Sequence, residues 1–397
     1  MDSDIQAFVP EPDRATRLRS ETAALAARWP DPANRPPLYG IPVGIKDIIH
    51  VDGLPTRAGS SLPPEALAGP QATIVTRLRE AGALIAGKTV TAEFAVLAPG
   101  PTRNPRNVAH TPGGSSSGSA AGVAGGLFPL SVGTQTVGSM IRPGAYCGVV
   151  AFKPTYGRIP VDGVIANAPS FDTLGLFAPS VADLLPAASV VCDDWTPSGA
   201  GDLPVLGIPT GPYLDRAEPE ALKSFTAGAE ELERAGFTVR RIPVMADFDR
   251  TVSQLFTMNR YELARTHAAW FTEYGKLYRR ETRQAIREGH AITHADYVEA
   301  QGARESFRTG MAAAMEPIDL WITPAATGPA PRGLTTTGSS VMSLPWSHIG
   351  LPSLTIPAGR AANGLPLGLQ CVAPPGQDEQ LLDWAAWIEA AFVQGVG

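Results

Sequence analysis

The sequence predicts an α/β protein built around a mixed, mainly parallel β-sheet. Short apolar runs alternate with helix-patterned stretches along most of the 397 residues, the order expected of strands joined through helices. Charged residues make up 18% of the chain and apolar ones 44%, so a large core can form and extensive disorder is disfavoured. No internal repeat or long linker divides the chain, so residues 1–397 are expected to form a single domain.

Taken in order, 38–51 reads as strand, turn and strand, with Lys46 inside an apolar run. A short helix over 73–81 and an apolar strand over 83–86 follow. Residues 119–127 suit a helix of very small side chains that can approach a sheet closely, and 129–133 a short buried strand. Ser139 can open another helix, with Pro143 still in its first turn, where a missing N–H costs least. The stretch 149–161 reads as strands broken at Pro154 and Gly157. A strand over 202–209, an amphipathic helix over 218–235 and a strand over 237–243 come next. Residues 249–315 read as a helical layer or cover within the same domain. Late strands over 320–324, 353–357 and 367–372 precede a closing helix over 380–392.

The net charge of −6 offers no basic footprint for nucleic acid. No apolar run has the length of a membrane span, and Met1-Asp2-Ser3-Asp4 is too acidic to begin a signal peptide. Cys147, Cys192 and Cys371 are spaced neither as a disulfide framework nor as metal ligands. The expectation is a cytoplasmic protein with no metal or cofactor and no nucleic-acid or membrane partner.

Three motifs compete for the chemistry. Gly82-Ala83-Leu84-Ile85-Ala86-Gly87-Lys88-Thr89 fits G-x-x-x-x-G-K-[ST], but a phosphate loop needs a strand before it and a helix after it. Here a helix precedes and the middle residues are themselves a strand, so a P-loop nucleotide-binding enzyme is the disfavoured alternative. Gly114-Ser115-Ser116-Ser117-Gly118 is a formal nucleophile elbow, yet 107–112 is polar and ends in proline, a poor central strand. The histidines at 267, 290, 294 and 348 show no spacing that makes one a triad base.

The third reading joins the serine turn at 113–119 and the turn at 133–139 with Lys46. A serine hydroxyl needs a base, and a lysine serves as one when burial removes its charge. Lys46 paired with Asp47 on a turn is the structural alternative.

In this combination the chain resembles the amidase signature family. The matching residues are Gly40 to Asp47, Gly113 to Ser119, Gly133 to Ser139, Cys147 to Val150 and Lys153 to Arg158, with weaker similarity at 350–352 and 364–370. The resemblance implies the amidase signature fold, with helices on both faces of the sheet, and hydrolysis of a small-molecule amide. It places Ser139 as nucleophile, Ser115 as bridging serine after a cis Gly114–Ser115 peptide, and Lys46 as base. The backbone N–H groups of Thr136, Val137, Gly138 and Ser139 would form the oxyanion hole, with Ser116 and Ser117 in support. The ammonia-producing component of a tRNA amidotransferase is the alternative within the same family.

Two departures stand out. The common G-T-D-T-G-G-S-I-R pattern here has Gln135 for its aspartate, Val137 for a glycine, and its arginine three residues after Ser139. On a helix, that shift turns the side chain by about 100°. Gln135 and Arg142 are therefore candidate substrate-binding residues, Arg142 for a carboxylate such as that of malonamate. The alternative is that Arg142 caps carbonyls or pairs with a buried carboxylate. Secondly, the segment 5–9 falls almost at the start, so the helical leader that many relatives carry is expected to be absent. A homodimer stands as an open expectation.

Overall fold

The computed structural model describes residues 2–199 and 201–394. Ten strands form one sheet: β1 (Pro42–Lys46), β2 (Leu84–Thr89), β3 (Leu130–Gln135), β4 (Val150–Lys153), β5 (Thr173–Ala178), β6 (Val205–Thr210), β7 (Thr238–Pro243), β8 (Leu320–Pro324), β9 (Ser353–Arg360) and β10 (Pro366–Val372). Their order across the sheet is β2-β1-β3-β5-β4-β9-β10-β8-β6-β7.

The α/β class holds, but the sheet is not mainly parallel. The flanks are parallel, at β1/β2, β1/β3, β6/β7 and β6/β8. Every pairing between β3 and β8 through the middle is antiparallel. For β9 and β10 the reason is connection length. A parallel crossover needs a dozen or more residues, whereas β9 and β10 are joined by a tight turn through Gly364 at φ +79°. β5 itself, fully buried, escaped the sequence reading, as did the helix Val181–Val191 behind it.

Strand alternation assigns the two faces. Val43 and Ile45 of β1 enter the main core with Ile74, Val75 and Leu78 of the helix Thr73–Glu80 and Leu184 and Ala187 of Val181–Val191. Gly44 and Lys46 point the other way, toward the helices Ser117–Ala124 and Ile141–Cys147. The first of these lies so close that a methyl group on Gly122 would meet the Phe128 ring at 2.0 Å, and one on Gly118 the Ala7 carbonyl oxygen at 2.2 Å. Its small residues are what let the serine turn reach the sheet.

Between the segment 5–9 and β1 the chain carries a further helix. Arg14–Arg28 is a 15-residue helix with no buried residue, tied down where the Arg17 guanidinium donates to the Ile85 carbonyl at 2.9 Å. Helices Phe248–Thr266, Ala268–Tyr274, Arg280–Ala291 and His294–Met315 make up the helical layer. No helix among the described residues is long and apolar enough to cross a membrane.

Candidate active site

The two serine turns meet above the C-terminal ends of β1 and β3. Lys46, the last residue of β1, is completely buried. Its Nζ donates to Ser115 Oγ at 2.7 Å and to Thr134 Oγ1 at 2.7 Å. Burial pushes its pKa well below the ordinary lysine value, with Asp172 opposing that shift and the Arg142 charge adding to it. The pairing with Asp47 does not occur: Asp47 faces Lys88 instead, 2.9 Å away. That ion pair also disposes of the phosphate-loop motif, because Leu84–Thr89 is strand β2 and Lys88 is buried in it.

The peptide between Gly114 and Ser115 is cis. The next residue, Ser116, is locked in place: its hydroxyl donates to the Thr134 carbonyl at 3.0 Å and accepts from the Thr134 N–H at 3.2 Å. Ser117 opens the helix and donates to the Val90 carbonyl at 3.2 Å. These bonds leave both hydroxyls structural, as supporting residues. The Ser116 N–H also donates to the Ser139 carbonyl at 3.4 Å, joining the first turn to the second.

Ser139 opens onto a cavity of about 210 Å³. Thr136, Val137 and Gly138 line it beside Ser139, and among the described residues nothing accepts a hydrogen bond from the N–H groups of these four. Unpaired N–H groups beside the cavity are the donors a developing oxyanion requires. Gly138 is needed for the close approach of the neighbouring loop, since a Cβ there would lie 2.8 Å from the Ser340 Cβ.

Gln135 faces inward, contrary to its assignment to substrate. Its Oε1 accepts from the N–H groups of Met140 and Ile141 at 2.8 and 3.1 Å, and its Nε2 donates to Ser347 Oγ at 2.9 Å. Both ends of the amide are therefore occupied in bracing the turn that presents Ser139. Arg142 does reach the cavity wall, but its terminal nitrogens hold protein carbonyls. Nη1 donates to Gly338 O at 2.9 Å, and Nη2 to Gly114 O and to Thr337 Oγ1.

Asp172, which stands directly before β5, was not singled out in the sequence. Its Oδ1 accepts from Thr136 Oγ1 at 2.5 Å, and its Oδ2 from the N–H groups of Asn167 and Ala168 at 2.7 and 3.0 Å. Burial raises its pKa to about 6 despite those bonds. The histidines take no part: His267 bonds Tyr278 at 2.9 Å and His348 is buried against Phe171 and Phe307. From the helical layer, Asn259 and Arg260 join the cavity lining.

The chain is similar to known proteins along nearly its whole length. The Amidase family model matches residues 5–382. The chain is 31% identical to the A-type chain of a glutamyl-tRNA(Gln) amidotransferase from Koribacter versatilis (strain Ellin345), over 98% of this chain and 92% of the relative. A crystal structure of an amidase superposes with a TM-score of 0.90 at 32% identity, covering 98% of this chain and 92% of its own. The native peptide amidase from Stenotrophomonas maltophilia superposes at 0.80 with 27% identity, covering 98% and 89%. A cavity-facing serine on such a frame, and matches of this extent, have one reading: the chain belongs to the amidase family, the enzymes that cleave amide bonds.

Proposed function

We propose that this enzyme hydrolyses a small amide through an acyl-enzyme on Ser139, with Ser115 and Lys46 as its proton relay. The observation that carries the reading is the buried, cation-disfavouring Lys46 Nζ at 2.7 Å from Ser115 Oγ. Lys46 held neutral takes a proton from Ser115, which takes one from Ser139 as its Oγ attacks the carbonyl carbon. The N–H groups of residues 136–139 stabilise the oxyanion. Collapse of the tetrahedral adduct breaks the C–N bond, and the relay run in reverse protonates the departing amine. Water then adds to the ester, releasing the acid and restoring Ser139.

The cavity lining, with Arg142 and Arg260 and no carboxylate among the described residues, favours an acyl group carrying a carboxylate, such as that of malonamate. The 31% identity to a glutamyl-tRNA(Gln) amidotransferase chain favours a second reading, release of ammonia from glutamine for a partner protein.

A fluorophosphonate probe tests the chemistry. Labelling and amide hydrolysis should both vanish in Ser139→Ala. Labelling that survives Ser139→Ala and disappears in Ser116→Ala would return the nucleophile to the first turn. Turnover of glutamine in preference to malonamate would favour the amidotransferase reading.

A further inference from the structure

Two arginines, Arg142 and Arg260, line the cavity beside Ser139, and among the described residues no Asp or Glu lines it. They are not equivalent. Arg142 is almost wholly buried and its Nη1 and Nη2 are held by Gly338, Gly114 and Thr337. Among the described residues no carboxylate pairs with it, so its positive charge stands uncompensated at the cavity wall. Arg260 belongs to the helix Phe248–Thr266 of the helical layer, and its side chain is 14% exposed. Its Nε donates to the half-exposed Glu288 at 3.3 Å, and its Nη1 to Asn259 Oδ1 at 3.0 Å. Its Cζ lies 5.4 Å from the Phe256 ring centroid. These three neighbours fix the guanidinium plane and leave Nη2 without a hydrogen bond to any described residue.

We propose that Arg260 is the carboxylate-recognising residue of this cavity, selecting short amides whose acyl chain ends in a carboxylate, with Arg142 bracing the serine turn. The inference rests on Ser139 being the nucleophile, as proposed above. A carboxylate leaving water needs a charged, hydrogen-bonding partner, because burial of an unpaired anion is strongly unfavourable. Arg260 supplies an oriented donor edge of the kind that recognises carboxylates. The uncompensated charge of Arg142 adds attraction for an anion in the same low-dielectric space. At about 210 Å³ the cavity is smaller than sites for drug-sized ligands, which run to roughly 300–1,000 Å³, so the acyl chain it takes is compact. Asn259 links this end to the oxyanion turn: its Nδ2 donates to Asn167 Oδ1 at 3.0 Å, and the Asn167 N–H donates to Asp172, which holds Thr136.

The test compares succinamate with 4-methylpentanamide, which has the same chain but a branched apolar end in place of the carboxylate. The wild-type enzyme should show the higher kcat/KM for succinamate. In Arg260→Gln that preference should fall by about tenfold or more, mostly through KM, and Arg260→Lys should recover part of it. A wild type without the preference, or a preference unchanged in Arg260→Gln, overturns the proposal. Where Arg260→Gln fails to fold, the unaltered enzyme decides. Succinate should protect Ser139 from fluorophosphonate at a lower concentration than butanoate, and equal protection overturns the proposal. Absence of Ser139 labelling together with no turnover of either amide overturns the acyl-enzyme reading as well. Labelling and turnover of the neutral amide without carboxylate preference counts against Arg260 alone.

Discussion

Arg142 Nη2 donates to the carbonyl oxygen of Gly114, the residue whose peptide carries Ser115. A side chain on the helix after Ser139 thus grips the backbone that carries Ser115, the serine next to Lys46. This contact explains how a cation can line the cavity while its terminal nitrogens are directed at protein.

This grip predicts the effect of Arg142→Lys. An ammonium is a point donor and cannot serve the Gly114 and Gly338 carbonyls together as a guanidinium does. The variant should lose kcat on the order of 100-fold, or ~2.7 kcal/mol, for carboxylate-bearing and neutral amides alike. Steady-state kinetics on one amide of each kind checks this. A loss confined to the carboxylate-bearing amide would restore Arg142 as the substrate anchor.

Lys46 predicts the pH profile. Its pKa is pushed down by burial, pushed down further by Arg142, and held up by Asp172. In the proposed relay the neutral amine is the working form, so kcat/KM should rise with pH through the lowered Lys46 pKa and level off below the ordinary lysine range. Asp172→Asn removes the opposing charge, so the rising limb should move to lower pH. It also loosens Thr136, and kcat at the plateau should fall on the order of tenfold, ~1.4 kcal/mol. A limb that stays in place would separate Asp172 from the base.

The site was more legible in the sequence than the sheet. Lys46 and the two serine turns could be placed together only through the family resemblance, because the apolar run around Lys46 by itself left a surface pairing with Asp47 open. Asp172 carried no comparable signal. It lies in Ser170-Phe171-Asp172-Thr173, and only the fold brings it under Thr136. Gln135 was misassigned because its direction depends on the turn at 136–140, which folds the Met140 and Ile141 N–H groups back onto it. The mainly parallel expectation failed at β4, β5, β9 and β10, where strand propensity says nothing of direction.

Gly138→Ala tests the oxyanion turn. The added Cβ would lie 2.8 Å from the Ser340 Cβ and 3.2 Å from its Cα, so turn or loop must move. Displacing one oxyanion donor costs about 10²–10³ in kcat, with KM little changed. Ser340→Gly in the same chain removes the nearer atom and should recover part of the loss. A Gly138→Ala enzyme with unaltered kcat would show that this N–H points away from the reacting carbonyl.

Lys153 gives a stability prediction independent of catalysis. It is fully buried at the end of β4, its Nζ donates to the Pro154 carbonyl at 2.9 Å, and burial lowers its pKa to about 7 although Asp378 opposes the shift. Unfolded, the same amine titrates near ~10.4. Between about 7 and ~10.4 the unfolded chain therefore binds the extra proton, and this group's contribution to stability rises with pH across that window. Below it, both states are charged and the full cost of burying the ammonium is felt. Lys153→Met removes the cost, so the Tm of the variant minus that of the wild type should be most favourable at pH 6–7 and should decline steadily toward pH 10. Thermal unfolding of both proteins at several pH values measures the difference. A difference independent of pH would mean that Lys153 keeps an ordinary pKa in the folded protein.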